Sequence, residues 1–259
     1  MKQQQILNDK RETRNEKRSF GLIGHPLTHS FSKQYFDNKF KEDGLVDVSF
    51  ELFDIENIEE IKNIVIKKSI KGFAITIPYK QQIISYLHSF NEVVAQTNAC
   101  NCVKIIDGNL IGFNTDVIGF EQSLLKDLKP YHTKALVLGN GGAAAAIKFV
   151  LNKLNIDFNT VSRQKNKADF IYKDLDESII QSHKLIINTT PLGTFPNIET
   201  HPNIPYQYLT KEHYLFDLVY NPSLTTFISK GIQQNAFTKN GYEMLIIQAE
   251  ENWRIWNNL

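Results

Sequence analysis

Gly139-Asn140-Gly141-Gly142-Ala143 directly follows the apolar run 134–138 and opens an alanine-rich stretch. Glycine permits a tight turn and lets the backbone approach a pyrophosphate closely. A helix starting there offers unpaired N–H groups and a positive dipole end to the same anion. An ordinary glycine turn in an α/β protein uses the same letters. The strand before and the helix after favour a dinucleotide site. Sites that read NAD place an acid after the second strand, to hold the ribose 2′-hydroxyl. The corresponding run here is Val161-Ser162-Arg163-Gln164-Lys165, with no acid. Arg163 can stack on adenine and pair with a 2′-phosphate through its planar fork. Lys165 and Lys167 add positive charge. NADP is therefore the expected cofactor; the alternative is a solvated basic loop.

A second set of polar residues lies where strands are expected to end, which is where α/β domains place ligands. His29-Ser30-Phe31-Ser32 puts two hydroxyls at a loop-to-helix junction, suited to a carboxylate. Thr76-Ile77-Pro78-Tyr79-Lys80 brings a threonine and a lysine to the end of the third strand. Asn101 lies on the fourth strand, and Asn114-Thr115-Asp116 closes a hairpin. Taken alone, Lys80 reads as a surface lysine at a helix start and Asp116 as a helix N-cap. His25 and His29 have the spacing of metal ligands on a helix, but Pro26 lies between them, so they read as loop residues and no metal is expected.

The elements that must hold these groups alternate between strand and helix. Strands are expected at 19–24, 49–54, 72–77 and 99–106, the last joined to 110–114 by the hairpin turn Asp107-Gly108. Helices are expected from Ser30 to a stop at Gly44, from an Asn57 cap to about Lys68, and over 79–87. A new pattern follows: helix 116–128, strand 134–138, helix 143–154, strand 158–162, and apolar runs at 185–187 and 214–219. Strands alternating with helices imply a parallel sheet covered on both faces. The last segment, 241–257, reads as one long helix whose Met244, Ile247 and Trp253 suit packing back on the first half. The expected architecture is two α/β domains. Residues 19–115 and 242–259 form a substrate domain with a mainly parallel sheet; 116–241 form a Rossmann-like NADP-binding domain.

The composition is globular: 42% hydrophobic, 22% charged, net charge +1. So small a charge gives no global field for nucleic acid. Cys100 and Cys102 cannot build a disulfide framework or a zinc quartet, so a reducing cytoplasm is expected. No apolar run approaches the roughly 18–20 residues that span a bilayer. Residues 1–18 are polar and basic, lack the apolar segment of a signal peptide, and read as an extension.

Three strings, Gly24-His25-Pro26-Leu27-Thr28-His29-Ser30, Gly72-Phe73-Ala74-Ile75-Thr76-Ile77-Pro78-Tyr79-Lys80 and Gly112-Phe113-Asn114-Thr115-Asp116, resemble signatures of the shikimate dehydrogenase family, in the family's order. The Gly139 turn resembles its nucleotide loop and Ser162-Arg163 its phosphate loop. Asn240-Gly241-Tyr242-Glu243-Met244-Leu245 with Gln248-Ala249 resembles its closing helix. The likeness covers residues 19–259. It implies NADP-linked, reversible reduction of 3-dehydroshikimate to shikimate, a step toward chorismate and the aromatic amino acids. It implies that Ser30 and Ser32, helped by Tyr220, hold the substrate carboxylate. Thr76, Asn101, Asp116 and Gln248 would contact ring hydroxyls, and Lys80 and Asp116 would form the catalytic pair. Gly139 to Ala143, Ser162, Arg163, Lys165 and Thr189 would serve the cofactor, with Glu92, Leu218 and Gly241 toward its nicotinamide end. The sequence departs from the family at Ala74, usually a substrate-facing asparagine; at Lys33, usually proline; at Ala145, often basic; and at Ser162, usually asparagine. Two other readings stay open: a quinate/shikimate dehydrogenase using NAD, and a non-catalytic nucleotide-binding relative. The latter predicts loss of Lys80 or Asp116, and both are present. The expected partners are small molecules only, with the chain a monomer or homodimer.

Overall fold

The computed structural model describes residues 17–27, 30–68 and 70–258. The expected N-terminal extension lies outside these residues apart from its last two, as do Thr28 and His29. Arg18 already belongs to the first strand. The chain divides into two compact units. Of the described residues, one contains those up to Asn91, Cys100–Phe113 and those from Ile255 on; the other contains Glu92–Ala99 and Asn114–Arg254.

The first unit is built on β1 (Arg18–Gly24), α1 (Phe31–Glu42), β2 (Val48–Asp54), α2 (Ile61–Lys68), β3 (Ile70–Ile75), β4 (Ser89–Phe90), β5 (Cys102–Ile106) and β6 (Asn109–Phe113). Its sheet has the order β2-β1-β3-β5-β6-β4. β1 runs parallel to β2 and β3, and β5 and β6 form the expected antiparallel hairpin. Asp107 and Gly108 both have positive φ, 50° and 79°, as a tight primed turn requires. Asn57 caps the start of α2's segment: its side chain accepts from Glu59 N–H, and Glu60 reaches back to Asn57 N–H. The core is aromatic. Trp256 stacks on Phe20 with centroids 5.0 Å apart, lies 5.5 Å from Phe36, and donates its indole N–H to Val103 O at 3.0 Å. The expected return of the last helix to the first half is thus made by its final residues.

Two expectations fail locally here. β3 ends at Ile75 rather than Ile77, because Tyr79 N–H turns back to Thr76 O at 3.0 Å. The expected helix over 79–87 is only a 3₁₀ segment, Gln82–Tyr86. Pro78, which cannot donate, leaves this stretch as successive turns.

The second unit contains α3 (Glu92–Thr97), α4 (Asp116–Leu125), β7 (Lys134–Leu138), α5 (Gly142–Lys153), β8 (Asp157–Ser162), β9 (Phe170–Ile171), α6 (Glu177–Ser182), β10 (Leu185–Asn188), β11 (Tyr214–Asp217), α7 (Thr226–Gln233), β12 (Phe237–Lys239) and most of α8 (Tyr242–Asn258). Its sheet is parallel throughout, in the order β12-β11-β10-β7-β8-β9. This is the doubly wound order, which reverses between β7 and β10. Alternate residues of β7 serve two cores. Ala135 and Val137 pack with Phe120, Ile147, Leu151, Phe216 and Met244 on one face; Leu136 and Leu138 pack with Ile186, Leu215 and Phe227 on the other. Both faces are dry, so the strand reads as one continuous apolar run. Val93 and Met244 pack into the first of these cores, which is why α3 and the bulk of α8 group here rather than with residues 19–115.

Candidate active site

The crevice at the sheet's reversal lies between the turn after β7 and the loop after β10. Gly139 has φ +107°, a value side chains rarely adopt, and a Cβ there would lie 2.6 Å from Thr189 Oγ1. Thr189 is fixed in turn: its N–H and hydroxyl both bond Leu138 O, at 2.9 and 2.8 Å. Above Gly141 and Gly142 a Cβ would meet nothing within 4 Å, so the backbone at the start of α5 is open to a ligand. The cleft holds about 670 Å³. One wall is Gly139, Asn140 and Gly141 with Ser162, Arg163 and Lys167; the other is Thr189 to Leu192 with His201.

Asn140 ties the first wall together. Its amide donates to Lys167 O at 2.5 Å, and its oxygen accepts from Lys148 Nζ at 2.8 Å. Ser162 shapes the basic loop, accepting from Gln164 N–H at 3.0 Å. Lys165 is exposed and does not line the cleft; Lys167, in sequence only an added charge, does. Gly142 and Ala143 open α5 without lining the cleft. Glu92 is exposed at the start of α3, where its carboxylate accepts from Gln96 at 2.7 Å.

Sequence reasoning missed the buried support behind the second wall. Asn188 and Asp217 end adjacent strands in register, and both are fully buried. Asp217 accepts from Asn188 Nδ2 at 2.9 Å, Val219 N–H at 3.0 Å and Thr225 Oγ1 at 2.6 Å. Burial pushes its carboxyl up to about 6 despite these donors. The available signal was a polar residue ending each of two otherwise apolar strands.

Beyond β11, Gly241 and Leu218 are in backbone contact. Gly241 N–H bonds Val219 O at 3.2 Å, and a Cβ on Gly241 would fall 2.1 Å from Leu218 O. Tyr220 is partly buried, which raises its phenol above the ordinary value. Asp116 is the first residue of α4 and is buried; Thr115, not Asp116, occupies the N-cap position. Thr115 Oγ1 donates to Asn252 Oδ1 at 2.7 Å, and Asn252 Nδ2 donates to Gln248 Oε1 at 3.2 Å. This chain of bonds sets Gln248 on α8 beside the start of α4.

In the first unit, Gly24 allows the loop after β1 and the end of β3 to meet. A Cβ there would lie 2.3 Å from Thr76 Cγ2 and 2.9 Å from Leu27 Cδ2. Asp54 clamps that loop, accepting from Leu27 N–H at 3.0 Å and pairing with His25 Nδ1 at 2.7 Å. The Leu27 bond, then the His25 bond, hold its carboxyl below the usual carboxylate value. Asn101 O accepts from Ile75 N–H at 2.8 Å, and Lys80 O accepts from Cys100 N–H at 2.7 Å. Thr76, Lys80 and Asn101 thus share the C-terminal end of this sheet. Ser30 occupies the N-cap position of α1 but does not cap it. Its hydroxyl is buried with no hydrogen-bond partner among the described residues. Ser32 is half-buried in the first turn of α1. Among the described residues no cluster of His, Cys, Asp and Glu could hold a metal ion, and no helix is long and apolar enough to cross a membrane.

Residues 22–103 match the family profile described as the shikimate dehydrogenase substrate binding domain. A protein of Methanocaldococcus jannaschii named shikimate dehydrogenase (NADP(+)) is 34% identical over 92% of this chain and 91% of its own. A crystal structure of a shikimate dehydrogenase in complex with NADP+ superposes with TM-score 0.81 at 32% identity, covering 94% of this chain and 91% of that one. The enzyme from Thermus thermophilus, solved in complex with NADP(H) and shikimate, gives TM-score 0.83 at 26% identity, over 93% and 94% of the two chains. With likeness of this degree along almost its whole length, the chain belongs to the shikimate dehydrogenase family.

Proposed function

We propose that this protein is a shikimate dehydrogenase, reversibly reducing the ring ketone of 3-dehydroshikimate with NADPH. The observation that carries the reading is the open glycine turn at the reversal of the parallel sheet, with Arg163 and Lys167 on its rim. Its volume is in the range of ligand pockets, roughly 300–1,000 Å³. Gly139, Asn140 and Gly141 would receive the pyrophosphate, and Arg163 and Lys167 a 2′-phosphate. The related proteins named for NADP support the same choice.

The cofactor supplies the hydride when bound. The remaining work falls to the chain. Ser30 is suited to a substrate carboxylate because a buried hydroxyl without a partner is costly, about 1–3 kcal/mol, until a ligand satisfies it. Ser32 and Tyr220 assist at the carboxylate. Thr76, Asn101 and Gln248 hold ring hydroxyls. The ketone oxygen becomes an alkoxide unless a proton reaches it, and Lys80 donates that proton while Asp116 orients the ammonium. Ala74 leaves one amide fewer at the ring than the family usually has. We place the enzyme in the cytoplasm, where the buried free thiols Cys100 and Cys102 are stable, and read it as a monomer or homodimer.

The test is a spectrophotometric assay of shikimate and quinate, each with NADP+ and with NAD+. Turnover of shikimate with NADP+ is expected to be fastest. Activity confined to quinate with NAD+ would overturn the reading.

A further inference from the structure

Asp217 is a fully buried carboxylate that the proposed chemistry does not use. No cation pairs with it among the described residues. Its partners are three donors, each from a different stretch of chain. Asn188 donates its amide from the end of β10, Val219 its N–H from the loop after β11, and Thr225 its hydroxyl from the cap of α7. Each partner continues outward. Asn188 Oδ1 accepts from Thr190 N–H at 3.0 Å and from Thr190 Oγ1 at 2.6 Å, which fixes the loop forming the second wall of the cleft. Thr190 Oγ1 then accepts from Leu192 N–H at 3.3 Å. Thr225 Oγ1 accepts from Ile228 N–H at 3.2 Å and so starts α7. Val219 O receives Gly241 N–H, joining the loop to the chain that leads into α8.

We propose that Asp217 is a positioning residue for the cofactor: through Asn188 and Val219 its carboxylate holds the two strand-end loops, and thereby the Thr189–Leu192 wall, in the binding geometry. The inference rests on the reading that this cleft takes NADP. Three donors need an ionised carboxylate. A protonated one must find an acceptor for its own hydrogen; among its described partners Thr225 Oγ1 can take it beside Ile228 N–H, but the Thr225 hydroxyl hydrogen then gives up Asp217 as its acceptor. Protonation therefore leaves a bond unmade and loosens the loops. Asp217 gains its proton near pH 6, within reach of ordinary assay conditions.

Asn188 and Thr225 carry no charge. Tyr206, whose phenol donates to Pro202 O at 2.7 Å, has its pKa raised well above the ordinary phenol value by burial and then by Asp217 itself. Lys230 lies over the Tyr206 ring, 5.3 Å from its centroid. Within the cleft, Arg163, Lys167 and His201 are the same in wild type and variants. The cofactor's own 2′-phosphate titrates near pH 6, equally for wild type and variants, so the comparison between proteins isolates Asp217.

The experiment is equilibrium titration of the full chain with NADP+ from about pH 5 to 8, for wild type, D217N, T225V and T225S, with the KM for shikimate measured alongside. D217N is expected to bind about fivefold to tenfold more weakly at the upper end, with a flatter pH profile than wild type and an unchanged shikimate KM. T225V should weaken NADP+ by a few-fold, and T225S, which keeps the hydroxyl, should restore it; this pair carries the test if D217N does not fold. The inference is overturned if D217N keeps wild-type affinity and pH profile, if T225S is as weak as T225V, or if shikimate KM rises in parallel with NADP+ affinity loss. Wild-type protein that binds no NADP+ at any pH would instead sink the cofactor reading on which the inference stands.

Discussion

Gly139 and Thr189 meet across the reversal of the parallel sheet, so closely that a Cβ on the glycine would press 2.6 Å from the threonine hydroxyl. That contact joins the turn after β7 to the loop after β10, and the proposed pyrophosphate site is the space it leaves open.

Gly139→Ala should therefore lose cofactor binding and some stability. The backbone conformation alone costs about 1–2 kcal/mol for a residue with a side chain, and Thr189 cannot retreat without giving up its bonds to Leu138. We expect NADP+ affinity to fall at least tenfold or so and Tm by roughly 2–8 °C. Differential scanning fluorimetry with and without NADP+ checks both; an unchanged ligand-induced shift would refute the assignment of this turn.

Arg163→Ala and Lys167→Ala should act on cofactor choice. Each removes a charged partner of the 2′-phosphate, which NAD lacks. We expect kcat/KM with NADP+ to fall about tenfold or more per substitution, and by clearly more than the value with NAD+, which loses only the stacking of Arg163 on adenine. Lys165→Ala, on an exposed residue outside the cleft, should leave both nearly unchanged. Steady-state assays with the two cofactors decide it.

The two cores leave different marks in the sequence. β7 was legible to the residue, because both its faces are buried and its apolar run has no competitor. The hairpin at Asp107-Gly108 was equally legible, because so few residues tolerate positive φ. The short elements α3, α6, α7, β9 and β12 were not. Six to eight helical residues carry too few turns to show a period, and two or three strand residues show none. The same holds for the site. The glycine turn, Ser30 and Asp116 could be found as motif letters. Lys148 meets Asn140, and Thr115 meets Asn252, only after folding brings distant residues together.

Trp256 makes a stability prediction for the first unit. Its ring packs on Phe20, Phe36 and Phe50, and its indole nitrogen is satisfied by Val103 O. Trp256→Ala should cost about 3–5 kcal/mol. A urea melt followed by circular dichroism should show the loss; a variant within about 1 kcal/mol of wild type would contradict the packing.

Acid should destabilise the second unit through three buried histidines. His132, His183 and His213 precede β7, β10 and β11, and burial lowers each pKa below the ordinary 6.5. His213 accepts Thr210 N–H on one nitrogen and faces Ile180 O with the other, an arrangement that requires the neutral ring. Above pH 6.5 the rings are neutral in both folded and unfolded chains, and there is no cost. As pH falls below 6.5, the unfolded chain takes up protons first, and stability declines until the folded values are passed. Asp217 works the other way: its raised pKa makes the folded state gain stability as pH falls from about 6 toward the ordinary 3.8. Three groups oppose one, so the urea midpoint is expected to drop between about pH 7 and pH 5. His213→Gln should shallow that slope; a midpoint that rises on acidification would show the histidines to be of little weight.

In the proposed reaction Lys80 is the proton donor. Stopped-flow or steady-state oxidation of shikimate by NADP+ with Lys80→Ala tests it most directly. In this variant kcat is expected to fall about 10²–10⁴-fold while NADP+ affinity, set in the other unit, is retained. Turnover by Lys80→Ala within about threefold of wild type would contradict it.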